Sequence, residues 1–172
     1  MSLGAIQEID GCFLSTSAVV QGEVLLGEGT NVWHHAVIRG DVAPITVGTR
    51  ANIQDATIIH CRTGVPATIG DEVVMGHRVV FHGRSVGPRT LIGIGAIVLD
   101  DCRIGQECLI AAGTVLVPGT LVPDGMMVMG TPGKVIREAT PAERALAAEI
   151  AARYFELARR HAAGEFLPFG PG

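Results

Sequence analysis

A bulky apolar residue recurs every six positions through most of the chain. The series runs Leu26, Val32, Ile38, then Val47, Ile53, Ile59, then Ile69, Met75, Phe81. It continues Val86, Ile92, Val98, then Ile104, Ile110, Leu116, and closes with Val122 and Val128. A small residue or valine often follows four places later, as at Thr30, Ala36, Ala51, Thr57, Val73, Ala96, Cys102, Cys108 and Thr114. Glycine often follows directly, as at Gly70, Gly93 and Gly105. A period of six fits neither a helix face nor a long alternating strand. It fits a coil of three flat faces, each sending one apolar residue inward, with glycine helping the chain turn each corner. Three hexads make one coil, and coils stack like parallel strands about 4.8 Å apart. A valine-rich β-sandwich would space its strands more widely and less regularly.

The register breaks in three places. From Ile38 to Val47 the step is nine, an excess of three around residues 41–46. From Ile59 to Ile69 it is ten, an excess of four around residues 61–68. From Phe81 to Val86 it is five, one short. Extra residues in a solenoid bulge outward as loops, often on the binding side. After Gly130-Thr131-Pro132-Gly133-Lys134 the pattern changes. Thr140-Pro141-Ala142-Glu143 reads as a capping box with proline at the first helical position. Leu146, Ile150, Tyr154, Leu157 and His161 then share one helical face, which predicts a helix packed along the coil. The expected division is a β-helix over 1–137, a C-terminal helix over 138–163 and a Pro/Gly-rich tail over 164–172.

Composition supports this picture. The chain has 172 residues, 23 of them glycine, with only 4% aromatic and 17% charged. Its core must therefore come from Val, Ile, Leu and Ala. A net charge of −4 without a Lys/Arg run argues against nucleic acid as a partner. No apolar run reaches the ~18–20 residues that span a bilayer, so no membrane partner is expected. Cys12, Cys61, Cys102 and Cys108 show no CxxC spacing, and no leader peptide is visible. Together these suggest reduced thiols in a cytoplasmic protein. Cys102 and Cys108 occupy the small inward position. Cys61 should point away from the face that carries His60.

The register also places the polar residues. Arg39, His60 and His82 each follow the third apolar residue of their coil and should stack in a column. His60 and His82 then lie about 5 Å apart at their backbones, close enough to share one metal. His34, Asp55 and His77 form a second column at a different corner. His77 would struggle to reach the first pair within one chain. In a closed ring of three subunits, the second column of one chain can face the first column of the next. Three neutral imidazoles with an open fourth position are the layout of a catalytic zinc-type site. Such an ion lowers the pKa of its water to about 7 and presents a hydroxide nucleophile.

Several markers, in order and in register, resemble the γ-class carbonic anhydrase group of the hexapeptide-repeat proteins. They are Arg39-Gly40-Asp41, then Asn52-Ile53-Gln54-Asp55 leading to His60, then Gly76-His77-Arg78-Val79-Val80-Phe81-His82-Gly83. The late Gly130-Thr131-Pro132-Gly133-Lys134 resembles the group's Gly-x-Pro-x-Lys ending. The resemblance covers roughly residues 18–137. It implies a left-handed parallel β-helix and a homotrimer with metal sites at its interfaces. It also implies that His60 and His82 of one subunit, with His77 of the next, hold Zn²⁺ or another divalent metal such as Fe²⁺ or Co²⁺. Asn52 and Gln54 are implied to line the site, Gln54 beside the metal's water. Arg39 and Asp55 are implied to pair between subunits. Arg39, Asp41 and Asp55 have two readings, a direct catalytic role and purely structural pairing.

The implied activity is reversible hydration of CO₂ to bicarbonate by a metal-bound hydroxide. The chain departs from the group where protons leave. Val42 stands where relatives carry a glutamate, and the loop Cys61-Arg62-Thr63-Gly64-Val65-Pro66-Ala67 carries no acid. Met126-Met127-Val128-Met129 stands where many relatives have a tyrosine. Slow or buffer-dependent turnover is therefore expected. The alternatives are a metal-dependent ester or CoA-thioester hydrolase, a CoA-dependent acyltransferase with one general-base histidine, and a non-catalytic binding protein.

Overall fold

Three ladders of inward side chains run the length of the molecule. One stacks Val32, Ile53, Met75, Ile92, Ile110 and Val128. A second stacks Ile38, Ile59, Phe81, Val98 and Leu116. The third stacks Leu26, Val47, Ile69, Val86, Ile104 and Val122. All but Leu26 are buried and form one continuous core. Most rungs are strands of only two residues, because a third would carry the chain past its corner. The computed structural model describes residues 4–166; the expected tail lies partly outside them. They form a left-handed parallel β-helix of hexapeptide repeats with an α-helix packed along its side.

The glycine that directly follows an apolar rung has a different task from the one expected. The left-handed turn is made two positions later, by Arg50, Glu72, Arg89 and Glu107. Gly70 is instead required by closeness, since a Cβ there would lie 2.6 Å from the backbone nitrogen of Pro88 in the next coil. Such contacts with backbone cannot relax cheaply.

The first register break is a bulge inside a strand, where a free loop was expected. Strand Val37–Val47 runs unbroken around a corner and joins two prism faces into one ten-stranded sheet. Its ladder with Val19–Leu26 pairs Gly22 with Gly40 and then Val24 with Ile45. Residues 41–44 thus oppose Glu23 alone. The second break is a loop, over residues 60–66, lying against that bulge. The Gly64 amide donates to the Val42 carbonyl at 3.1 Å, and Arg62 pairs with Asp101 at 2.6 Å. The third, shortened corner closes over the Phe81 ring at Gly83, where a Cβ would meet the ring at 3.1 Å.

The helix α1 (Pro141–Ala162) begins with the expected cap. Thr140 Oγ1 accepts from the Glu143 amide, and the Glu143 carboxylate accepts from the Thr140 amide at 2.8 Å. Arg137 grips the same carboxylate with two hydrogen bonds, of 2.7 and 2.8 Å. The buried line of α1 is Ala147, Ala151 and Ala158, one position further along than the expected face. Small side chains let the helix approach the sheet, so Ile150, Tyr154 and Leu157 pack on its flanks. Trp33 meets Tyr154 edge-on at 5.3 Å, and Phe13 meets Phe155 at 5.6 Å. Among the described residues no helix is long and apolar enough to cross a membrane.

Candidate metal centre

His60 and His82 come together as the register requires. They follow Ile59 and Phe81, which face each other across one rung. His60 Nδ1 lies 3.2 Å from His82 Nε2. Two nitrogens bound to one tetrahedral Zn²⁺ at 2.0–2.1 Å would be separated by roughly 3.3 Å, so the spacing fits a shared cation.

Each imidazole is held from behind by a carboxylate. His60 Nε2 lies 3.0 Å from Asp41 Oδ1, and His82 Nδ1 lies 2.5 Å from Asp100 Oδ1. The four groups form a line: carboxylate, imidazole, imidazole, carboxylate. The bulge at residues 41–44 puts Asp41 within reach. Asp41 also binds Arg39 at 2.5 Å, and that guanidinium first, then His60, holds its carboxyl below the usual range. Asp100 was not foreseen. It stands 18 residues after His82, one full coil on, and that spacing was the available signal.

The line has an electrostatic consequence. A carboxylate acceptor behind each ring requires the outer nitrogen to carry the proton. With neither ring carrying a second proton, the two inner nitrogens would aim bare lone pairs at each other across 3.2 Å. A cation between them removes that repulsion, and outer carboxylates of this kind typically orient metal-binding histidines.

The remaining candidates lie elsewhere in the protomer. His77 Nδ1 is 2.9 Å from Asp55 Oδ2, in the second column. Among the described residues of one chain, no three His, Cys, Asp or Glu side chains gather into a cation site. Arg39 and Asp55 are likewise apart within the protomer, each engaged with another partner. Asn52 is wholly buried and Gln54 nearly so. They belong to an amide ladder: Gln54 donates to Asn52 at 2.8 Å, and Asn52 donates to Asn31 at 2.6 Å. Asn31 also accepts from the Trp33 indole at 2.8 Å. Gln54 and His77 line a cleft of about 370 Å³ beside α1, with Ile94, Ile150, Arg153 and Tyr154. His34 Nδ1 lies 2.7 Å from the Ser15 hydroxyl. Cys61 turns inward to the Ala43 carbonyl at 3.3 Å, and burial pushes its thiol pKa up.

Residues 85–118 match the family described as bacterial transferase hexapeptide (six repeats). The carbonic anhydrase of Geobacillus kaustophilus is 38% identical over 74% of this chain and 70% of its own length. Gamma carbonic anhydrase 1, mitochondrial, of Arabidopsis thaliana is 36% identical over 91% of this chain, which spans only 59% of that relative. A crystal structure of a hexapeptide transferase family protein from Anaplasma phagocytophilum superposes with a TM-score of 0.75 at 30% identity, over 91% of this chain and 97% of that one. The chain belongs to the γ-class carbonic anhydrase-like group of the hexapeptide-repeat family.

Proposed function

We propose that the protein is a metal-dependent carbonic anhydrase-like enzyme that interconverts CO₂ and bicarbonate as a homotrimer. The observation that carries this reading is the facing pair of imidazole nitrogens, His60 Nδ1 and His82 Nε2, at 3.2 Å. Their outer protons are committed to Asp41 and Asp100, so the gap between them suits a cation. His77 of the next protomer supplies the third imidazole, which is why one chain holds only two. A divalent ion held by these imidazoles would bring the pKa of a water down to about 7.

The chain's own residues do the rest. Asp55 accepts from His77 Nδ1 and leaves Nε2 as the free donor atom. Asn52 Oδ1 accepts one of the two Gln54 amide hydrogens, which orients the group and leaves Gln54 Oε1 to accept a hydrogen from the reacting water and aim it at CO₂. Bicarbonate formation releases one proton. Val42 and the acid-free loop 60–66 provide no carboxylate to carry it outward, so turnover should rise with added buffer.

A second reading, hydrolysis of a small ester or thioester, is favoured by the apolar cleft beside His77. CO₂ needs far less room than about 370 Å³.

Metal analysis and stopped-flow CO₂ hydration, with and without imidazole buffer, test both. The expected result is about one divalent ion per chain and hydration that rises with imidazole. Protein that neither retains nor takes up Zn²⁺ overturns the cation reading. A loaded protein that hydrolyses esters but not CO₂ in any buffer selects the second reading.

A further inference from the structure

We propose that Asp100 is a positioning residue that decides which nitrogen of His82 is free to bind a divalent cation. This rests on the cation reading above. A neutral imidazole carries one N–H and one lone pair, and either nitrogen can hold either. With Asp100 Oδ1 at 2.5 Å, the proton belongs on His82 Nδ1. Nε2 is then bare, and it is the nitrogen that faces His60 Nδ1 at 3.2 Å. Without the carboxylate, the ring can place its proton on Nε2 and close the site to a cation. The negative charge behind the ring also raises the basicity of the lone pair in front.

The backbone arrangement makes this role specific to Asp100. The His82 amide donates to the Val98 carbonyl at 2.8 Å, which sets the two coils in register. The turn after Val98 then swings Asp100 back beneath the imidazole. Its neighbour Asp101 has a different partner and pairs with Arg62 at 2.6 Å. Two adjacent aspartates therefore have separate tasks: one aims a ligand, the other tethers the loop at residues 60–66.

Three variants of the full chain test the proposal: Asp100→Ala, Asp100→Asn and Asp101→Asn. The asparagine at 101 suits the left-handed backbone there, φ +58. Thermal unfolding checks that each folds. Two readouts follow, nitrogen NMR of the imidazoles in metal-free protein, and Zn²⁺ affinity by chelator competition. Wild type should show His82 protonated at Nδ1. Asp100→Ala should move that proton toward Nε2 and weaken Zn²⁺ binding about 10–100-fold. Asp100→Asn keeps an acceptor without the charge, so it should retain the tautomer and lose less affinity. Asp101→Asn should match wild type in both readouts. The proposal is overturned if Asp100→Ala keeps the Nδ1 proton or wild-type affinity, or if Asp101→Asn behaves like Asp100→Ala. Should wild type take up no Zn²⁺, the cation reading fails, and the NMR readout on metal-free protein still decides the role of Asp100.

Discussion

His60 and His82 are 22 positions apart in the chain, yet their ring nitrogens face each other at 3.2 Å. A regular coil advances 18 residues. The other four are the excess between Ile59 and Ile69, which leaves the rungs as a loop. Had those four residues stayed in register, the two imidazoles would face different sides of the prism.

If each site takes His60 and His82 from one subunit and His77 from the next, two defective chains can complement each other. His77→Ala and His82→Ala homotrimers should each lose Zn²⁺. Trimers reassembled from an equal mixture should regain about one quarter of the sites, because a ring of three joins each pair of neighbours once. Metal content of mixed trimers, verified by native mass spectrometry, checks this. Verified mixed trimers without metal would count against shared ligands.

Asn52→Ala should cost both stability and turnover. It strips Gln54 of its acceptor and Asn31 of a donor inside a buried ladder. A buried polar group left unpaired costs about 1–3 kcal/mol, so urea unfolding should shift by about that amount. Metal content should stay unchanged, because the proposed ligands are the imidazoles of His60, His77 and His82 and not the amides of the ladder. The fall in turnover then reports the freed Gln54 amide.

The helix cap should show a defined pH dependence. Arg137 first, then the Thr140 amide and hydroxyl, lower the Glu143 pKa from 4.5 to about 2. A depressed carboxylate pKa adds stability that is fully present above the unfolded value and is lost as pH falls through the folded one. The stability difference between wild type and Glu143→Gln should therefore be constant above about pH 5, shrink below pH 4.5 and be mostly lost by about pH 2.5. Denaturant unfolding of both proteins from pH 7 to pH 2.5 measures it. A difference that stays constant across that range would show that Glu143 acts without its charge.

The rungs, the three breaks in register and the helical cap were legible in the residue order, and so was the stacking of His60 on His82. Each follows from side-chain direction repeating at a fixed interval, which is a local property of the backbone. The exact course of the breaks was not legible. Whether three extra residues leave as a loop or stay as a bulge in strand Val37–Val47 depends on the neighbouring strand, and that choice carries Asp41 to His60. The seating of α1 on Ala147, Ala151 and Ala158 depends equally on the sheet beneath it, since an amphipathic pattern names a face but not the depth of approach. Asp100 shows the boundary most clearly. Its distance of one coil from His82 is written in the chain, but the partner its carboxylate reaches, like the different partner reached by Asp101, is set by the turn that follows Val98. Periodicity alone therefore decided which side chains share a column, while packing between successive coils decided which of them touch.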